Sequence, residues 1–206
     1  MTREPPAKID RRERRGAATR AHILDTTVRA IVNHGYHGLT TTMVAKAARV
    51  SRGAMLHHFP SREALIAETV QFLFRKRLAA FEKMVAEVAA QGHPIAQSLE
   101  IFAAQARHPY FIAFFELSVA ARTDKTLHAL LMPCQQTLEA RSLELARQMF
   151  PRVSDQRLEI GLGLSQAVIE HLALRQMSRE ATAADDALLQ HLHLHIRAFY
   201  GLDAEA

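Results

Sequence analysis

The chain has little of what several large protein classes require. A single cysteine, Cys134, among 206 residues excludes an intramolecular disulfide and fits a reducing compartment. The N-terminus lacks the apolar run of about 7–15 residues that a secretory signal carries. No stretch approaches the ~20 uninterrupted apolar residues of a membrane-spanning helix. These absences predict a soluble, cytoplasmic protein. Eight glycines, seven prolines and 6% aromatics leave Ala, Leu, Arg and Glu dominant, which predicts an all-helical fold with no strand pattern. No Ser/His/Asp arrangement, phosphate loop, metal-ligand cluster or paired carboxylate motif is present, which argues against an enzyme and implies no cofactor.

What is present is unevenly placed. Residues 1–62 carry 12 Lys or Arg against 4 Asp or Glu, whereas residues 63–206 carry 14 against 17, so the net charge of +5 belongs to one end. Such asymmetry suggests an N-terminal module facing a polyanion, joined to a near-neutral body. Residues 1–15 combine a Pro pair with a charge cluster and no apolar period, which predicts a flexible basic arm. From Ala17, Ala21, Leu24, Val28, Ile31 and Val32 recur at helical spacing until Gly35. A helix capped by Thr40, a break at Arg49 and Val50, and a short helix capped by Ser51 should follow, the last stopped by Phe59-Pro60. Ser61 opens a helix of roughly 30 residues, about 45 Å long, running to Gly92-His93-Pro94. Breaks at His108-Pro109, Thr123-Asp124, Phe150-Pro151 and Ser178 to Thr182, with Gly201 as the last stop, bring the expected total to about nine helices.

A supporting helix followed by helix, short turn and short helix is the arrangement that places the second short helix in a DNA major groove. Val44, Ala45, Ala48, Val50 and Met55 can pack inward, leaving Arg52, Ala54, His57 and His58 outside. Arg52 could meet guanine O6 and N7 or a phosphate, and Ala54 a thymine methyl. The helix starts at Thr40 and Ser61, with Thr41 and Arg62, would grip phosphates on either side. The alternative is three small core helices with a solvated basic face.

The run GYHGLTTTMVAKAARVSRGAMLHHFPSREALI resembles the DNA-binding domain of TetR-family transcriptional regulators in its Gly-aromatic, Thr-Thr, Val-Ser, Gly, His-Phe and Ser-basic-Glu-x-Leu elements. The resemblance covers about 50 residues. His108-Pro109 followed by Glu116, Leu117, Ala121 and Asp124 is similar to a recurrent pattern in the family's C-terminal part. It implies a helix-turn-helix domain over residues 16–62 and a helical effector-binding and dimerisation domain over residues 63–206. It also implies DNA contacts from Thr40, Thr41, Ser51, Arg52, Gly53, Ala54, His57, His58 and Arg62. The chain departs from the family at Arg49, where Gly is usual in the turn, and at Leu56, where Tyr is usual.

The same resemblance implies a homodimer that binds a double-stranded operator and a small-molecule effector, most simply a repressor released by that ligand. The alternatives are an architectural DNA-binding protein without effector and, less favoured, an all-helical enzyme. Leu158, Leu162, Ser165 and Ile169 form one helical stripe, Leu192 and Ile196 part of another, and both are candidates for the dimer interface or for the protomer's own core. Phe102, Tyr110 and Phe114, with Glu116, His171 and Arg175 as orienting polar groups, are candidates for ligand contacts. His191 and His195 share a helix face, but with no third ligand nearby they are expected to be solvated or interfacial, and no metal is expected. Cys134 is expected to be a buried, inert thiol.

Overall fold

A computed structural model describes residues 8–89 and 94–202. Among them are nine helices: α1 (Lys8–Gly38), α2 (Thr41–Ala47), α3 (Arg52–His58), α4 (Arg62–Ala89), α5 (Pro94–Ala106), α6 (Pro109–Ala121), α7 (Lys125–Met149), α8 (Asp155–Gln176) and α9 (Ala183–Tyr200). The breaks fall where His108-Pro109, Thr123-Asp124, Phe150-Pro151 and the segment before Ala183 place them, and Gly201 ends α9 in the left-handed conformation at φ 74°. No described helix is long and apolar enough to cross a membrane.

Residues 8–15, expected as part of a flexible basic arm, form the opening turns of α1, because Lys, Arg and Glu are good helix formers and nothing after the Pro pair interrupts them. Residues 1–7 lie outside the described part. Near its other end α1 breaks at Gly35, with φ 70° and ψ 167°.

The chain divides into two compact units. The first comprises the N-terminal helices to Leu73 together with Ala113–Leu131. Ile23, Val28 and Ile31 of α1, Val44 and Ala45 of α2, Met55 of α3 and Leu65 of α4 are buried in it. Fully burying an aliphatic side chain of this size is worth about 1.5–3 kcal/mol, so helices of seven residues, too short to persist alone, hold their place through packing.

The second unit comprises Phe74–Ile112 and Met132–Ala206. In it α5, α8 and α9 pack on one another around Leu99, Phe111, Leu158, Ile169, Leu192, Ile196 and Tyr200. Cys134 is buried, as expected. Of the two places open to them, Leu158, Ile169, Leu192 and Ile196 pack in the protomer's own core. At 0–5% exposure they have no apolar area left to withdraw from water on association. Leu162 and Ser165 are half-buried. The remaining apolar surface of α8 and α9 is shifted around the helices, to Ile160, Leu164, Leu188 and Leu194.

Two contacts fix α9 on its neighbours. A methyl group built on Gly161 would fall 2.6 Å from Cε1 of Tyr200 and closer still to its hydroxyl, so a side chain is excluded where the two helices meet. Burial pushes the Tyr200 phenol up to about 12. At the other end of α9, the buried carboxylate of Asp185 accepts from Thr182 N at 2.9 Å and from Arg179 at 2.8 Å, and Arg175 approaches at 3.3 Å. The Arg179 bond, then the Thr182 amide, hold Asp185 below the usual carboxylate range.

Gly161→Ala is expected to destabilise the protein by about 1–3 kcal/mol through overpacking, measured by denaturant unfolding. Because its folded value is depressed, Asp185 stabilises fully above the ordinary carboxylate range and loses that contribution as pH falls through the lowered value. Asp185→Asn should therefore melt at lower temperature than wild type at pH 7, with the difference shrinking below about pH 4.

Candidate nucleic-acid interface

Three hydroxyl caps build the N-terminal site. Thr40 Oγ1 accepts from Met43 N, Ser51 Oγ from Ala54 N and Ser61 Oγ from Ala64 N, each at 3.1 Å. Each satisfies an amide that the first helical turn leaves orphaned. A hydroxyl that accepts in this way still has a proton to donate, and Thr40 and Ser51 are exposed.

Between the caps of α2 and α3 the chain turns through Arg49 at φ 55°. Arg49 N donates to Lys46 O at 3.2 Å and Val50 N to Ala45 O at 3.0 Å, the paired bonds of a left-handed helix stop. That geometry is why Gly is usual here. An L-residue accepts it at a cost of about 1–2 kcal/mol, and Arg49 keeps its charged side chain exposed.

Arg52, Gly53, Leu56 and His57 are exposed on α3, Ala54 and His58 are half-buried, and Met55 is buried. Side chains at i and i+4 share a helix face, and Met55 and Phe59, with 1% and 0% exposure, are the pair that turns inward. Leu56, where the family has Tyr, is 45% exposed and brings no hydrogen-bond donor to that surface. Burial first, then the charges of His57 and Arg20, push the His58 imidazole below its ordinary value. His58 is thus disfavoured as a cation for phosphate.

Arg62 is corrected. Rather than reaching outward to a phosphate, its guanidinium donates to Tyr36 O at 2.7 Å and to Leu39 O at 3.0 Å, and lies 4.6 Å over the Tyr36 ring. The carbonyls of a broken helix end need donors, and Arg62 supplies two of them. Arg20, which sequence reasoning passed over, holds the far end of α3. It donates to His58 O at 3.1 Å, pairs with Glu68 at 2.9 Å and lies 4.8 Å over the Phe59 ring. His22 Nε2 stands 3.2 Å from Ala48 O at the end of α2.

Tyr36 is the second residue the sequence did not mark. Its amide donates to Glu116 Oε1 at 3.0 Å and its hydroxyl to Asp124 Oδ2 at 2.8 Å. Asp124 uses its other oxygen to cap α7 through Leu127 N at 2.9 Å. The Leu127 amide, then Tyr36, hold Asp124 below the usual range. A side chain at Gly35 would meet Glu116 Oε1 at 3.1 Å. These partners stand 80 and 88 residues apart in sequence, beyond any local pattern.

The proposed ligand contacts do not converge. Glu116 accepts from Tyr36 N, and Arg175 pairs with Asp185 at 3.3 Å. His171 is exposed. Phe102 packs against the core of the second unit. The Tyr110 ring lies tilted beside that of His108, centroids 4.4 Å apart, with Lys76 5.9 Å over it, and Phe114 is half-buried. A half-buried cation was missed: desolvation pushes Arg77 down to about 10, with the charge of Glu170 opposing, and it lies 5.1 Å over the Phe111 ring. The described surface also has an open groove of about 620 Å³, lined by Leu164 and Val168 of α8 and Leu188, His191, Leu192, Leu194 and His195 of α9.

Residues 23–69, from α1 into α4, match the family model of bacterial regulatory proteins, tetR family. An uncharacterized HTH-type transcriptional regulator of Mycobacterium bovis is 29% identical over 137 residues, 66% of this chain and 70% of that one. The HTH-type transcriptional repressor AcnR of Corynebacterium diphtheriae is 30% identical over 125 residues, 61% and 62% of the two chains. A crystal structure from Mesorhizobium loti, assigned to the TetR-family transcriptional regulators, shares the fold with a TM-score of 0.73 at 15% identity over 91% of this chain and 98% of that one. Sequence and fold converge: residues 23–69 carry the domain of the bacterial regulatory proteins, tetR family, and the chain is similar to regulators of that type over most of its length.

Proposed function

We propose that this protein is a cytoplasmic, dimeric, sequence-selective transcriptional regulator, a repressor released when a small molecule binds its C-terminal domain. The observation that carries the reading is the outward face of α3, with Arg52, Gly53 and His57 exposed on a helix whose other face is buried. Arg52 in the first turn is the base-reading side chain, bidentate to guanine O6 and N7, and Ala54 meets a thymine methyl. Thr40, Thr41 and Ser51 position the helix through phosphates, and exposed Arg49 and Lys46 add charge.

Several features support the remaining parts. Ile160, Leu164, Leu188 and Leu194, all at least 37% exposed, offer an apolar face on α8 and α9 for a symmetric contact with a second copy. Glu116 on α6 and Asp124 at the start of α7 hold Tyr36 at the broken end of α1, so a ligand that shifts those helices biases the setting of the head formed by α1, α2 and α3. Repression follows the name of the related AcnR.

In a gel shift with DNA from upstream of its own gene, the protein is expected to retard that fragment selectively at moderate salt, and a shift indifferent to sequence would contradict the reading. Arg52→Ala should lose about 1–3 kcal/mol of discrimination at one base position. Arg62→Ala should instead leave base preference and the salt slope of binding unchanged while lowering folding stability by about 1.5–3 kcal/mol, the range for a hydrogen-bonded charge. A salt slope reduced by one phosphate contact in Arg62→Ala would restore Arg62 to the interface.

A further inference from the structure

We infer that His191 and His195 of α9 are half of a transition-metal site, completed by the same two histidines of a second copy. The inference rests on the dimer proposed above. Residues four apart on a helix stand about 5–6 Å apart at Cβ, a spacing at which two imidazoles can take neighbouring positions on one ion. Both histidines are exposed and both line the α8–α9 groove, whose other walls are Leu164, Val168, Leu188, Leu192 and Leu194. His193 between them is half-buried and does not line the groove. The His195 ring lies parallel to that of Phe199, at 6.4 Å and an interplanar angle of 4°.

Imidazole nitrogens suit zinc, nickel and copper, and zinc prefers four ligands in a tetrahedron. Among the described residues no group of three or more potential ligands comes together within one protomer, so two histidines alone leave the coordination incomplete. An isologous contact presents each residue twice. His191 is the ninth of the eighteen residues of α9, close to the middle of the helix, and the shared site requires two copies of α9 to cross there on the two-fold axis. Four imidazoles in an apolar groove, with no competing carboxylate lining it, match a zinc ion in ligand number and type.

The test is zinc chloride titrated into tag-free, full-length protein by calorimetry, with the mass of the particle followed by sedimentation in zinc and in EDTA. The expected result is one zinc per two chains, with affinity weakened roughly tenfold or more in His191→Ala and in His195→Ala, and unchanged in His193→Ala. The substituted positions are exposed and Ala favours helix, so the variants should fold, which circular dichroism checks. Absence of zinc binding, or binding that survives His191→Ala, overturns the site. Sedimentation in EDTA separates the two readings. A dimer there that takes up no zinc sinks the metal site alone, whereas a monomer that binds one zinc per chain sinks both the shared site and the dimer.

Discussion

Everything at the N-terminal end depends on one face of a seven-residue helix being anchored so firmly that the other face can stay in water. Met55 and Phe59 are fully buried, Ser51 closes the start of the helix and Arg20 holds its last carbonyl. A helix this short has no independent stability. Its orientation is therefore a property of the head's core and of these end contacts. Such rigidity is what base reading requires, because a bidentate contact loses its discrimination when the helix can tilt.

A second constraint is electrostatic. Tyr36 gathers Arg62, Glu116 and Asp124 at the break in α1: its carbonyl accepts from Arg62, its amide donates to Glu116 and its phenol to Asp124. The half-buried setting strengthens each bond relative to solvent. It also makes the loss of any one partner costly, since the others are left unpaired. The same cluster thus stabilises the head and gives α6 and α7 a direct hold on it.

Much of this was legible in the chain. The three caps, the turn at Arg49, the inward set of Val44, Ala45, Ala48 and Met55, and the helix breaks at Pro109 and Gly201 are local signals, set by hydroxyls, prolines, glycines and periodicity within a few residues. Side chains whose partners lie far away in sequence were not legible. Arg62 reads as a phosphate clamp until Tyr36 and Leu39 are seen to occupy it, and Glu116 and Arg175 read as ligand contacts, with nothing local to mark Tyr36 and Asp185 as their partners. The stripes of α8 and α9 show the limit of periodicity. Leu158, Ile169, Leu192 and Ile196 were recognisably apolar faces, but a pattern does not say whether the surface it meets belongs to the same protomer or another.

The central claim, that α3 enters the major groove, is tested most directly by dimethyl sulfate protection of guanine N7 on the upstream DNA. The account predicts protected guanines in two patches about one helical turn apart, centre to centre. Unprotected N7 positions, or protection confined to adenine N3 in the minor groove, would contradict it.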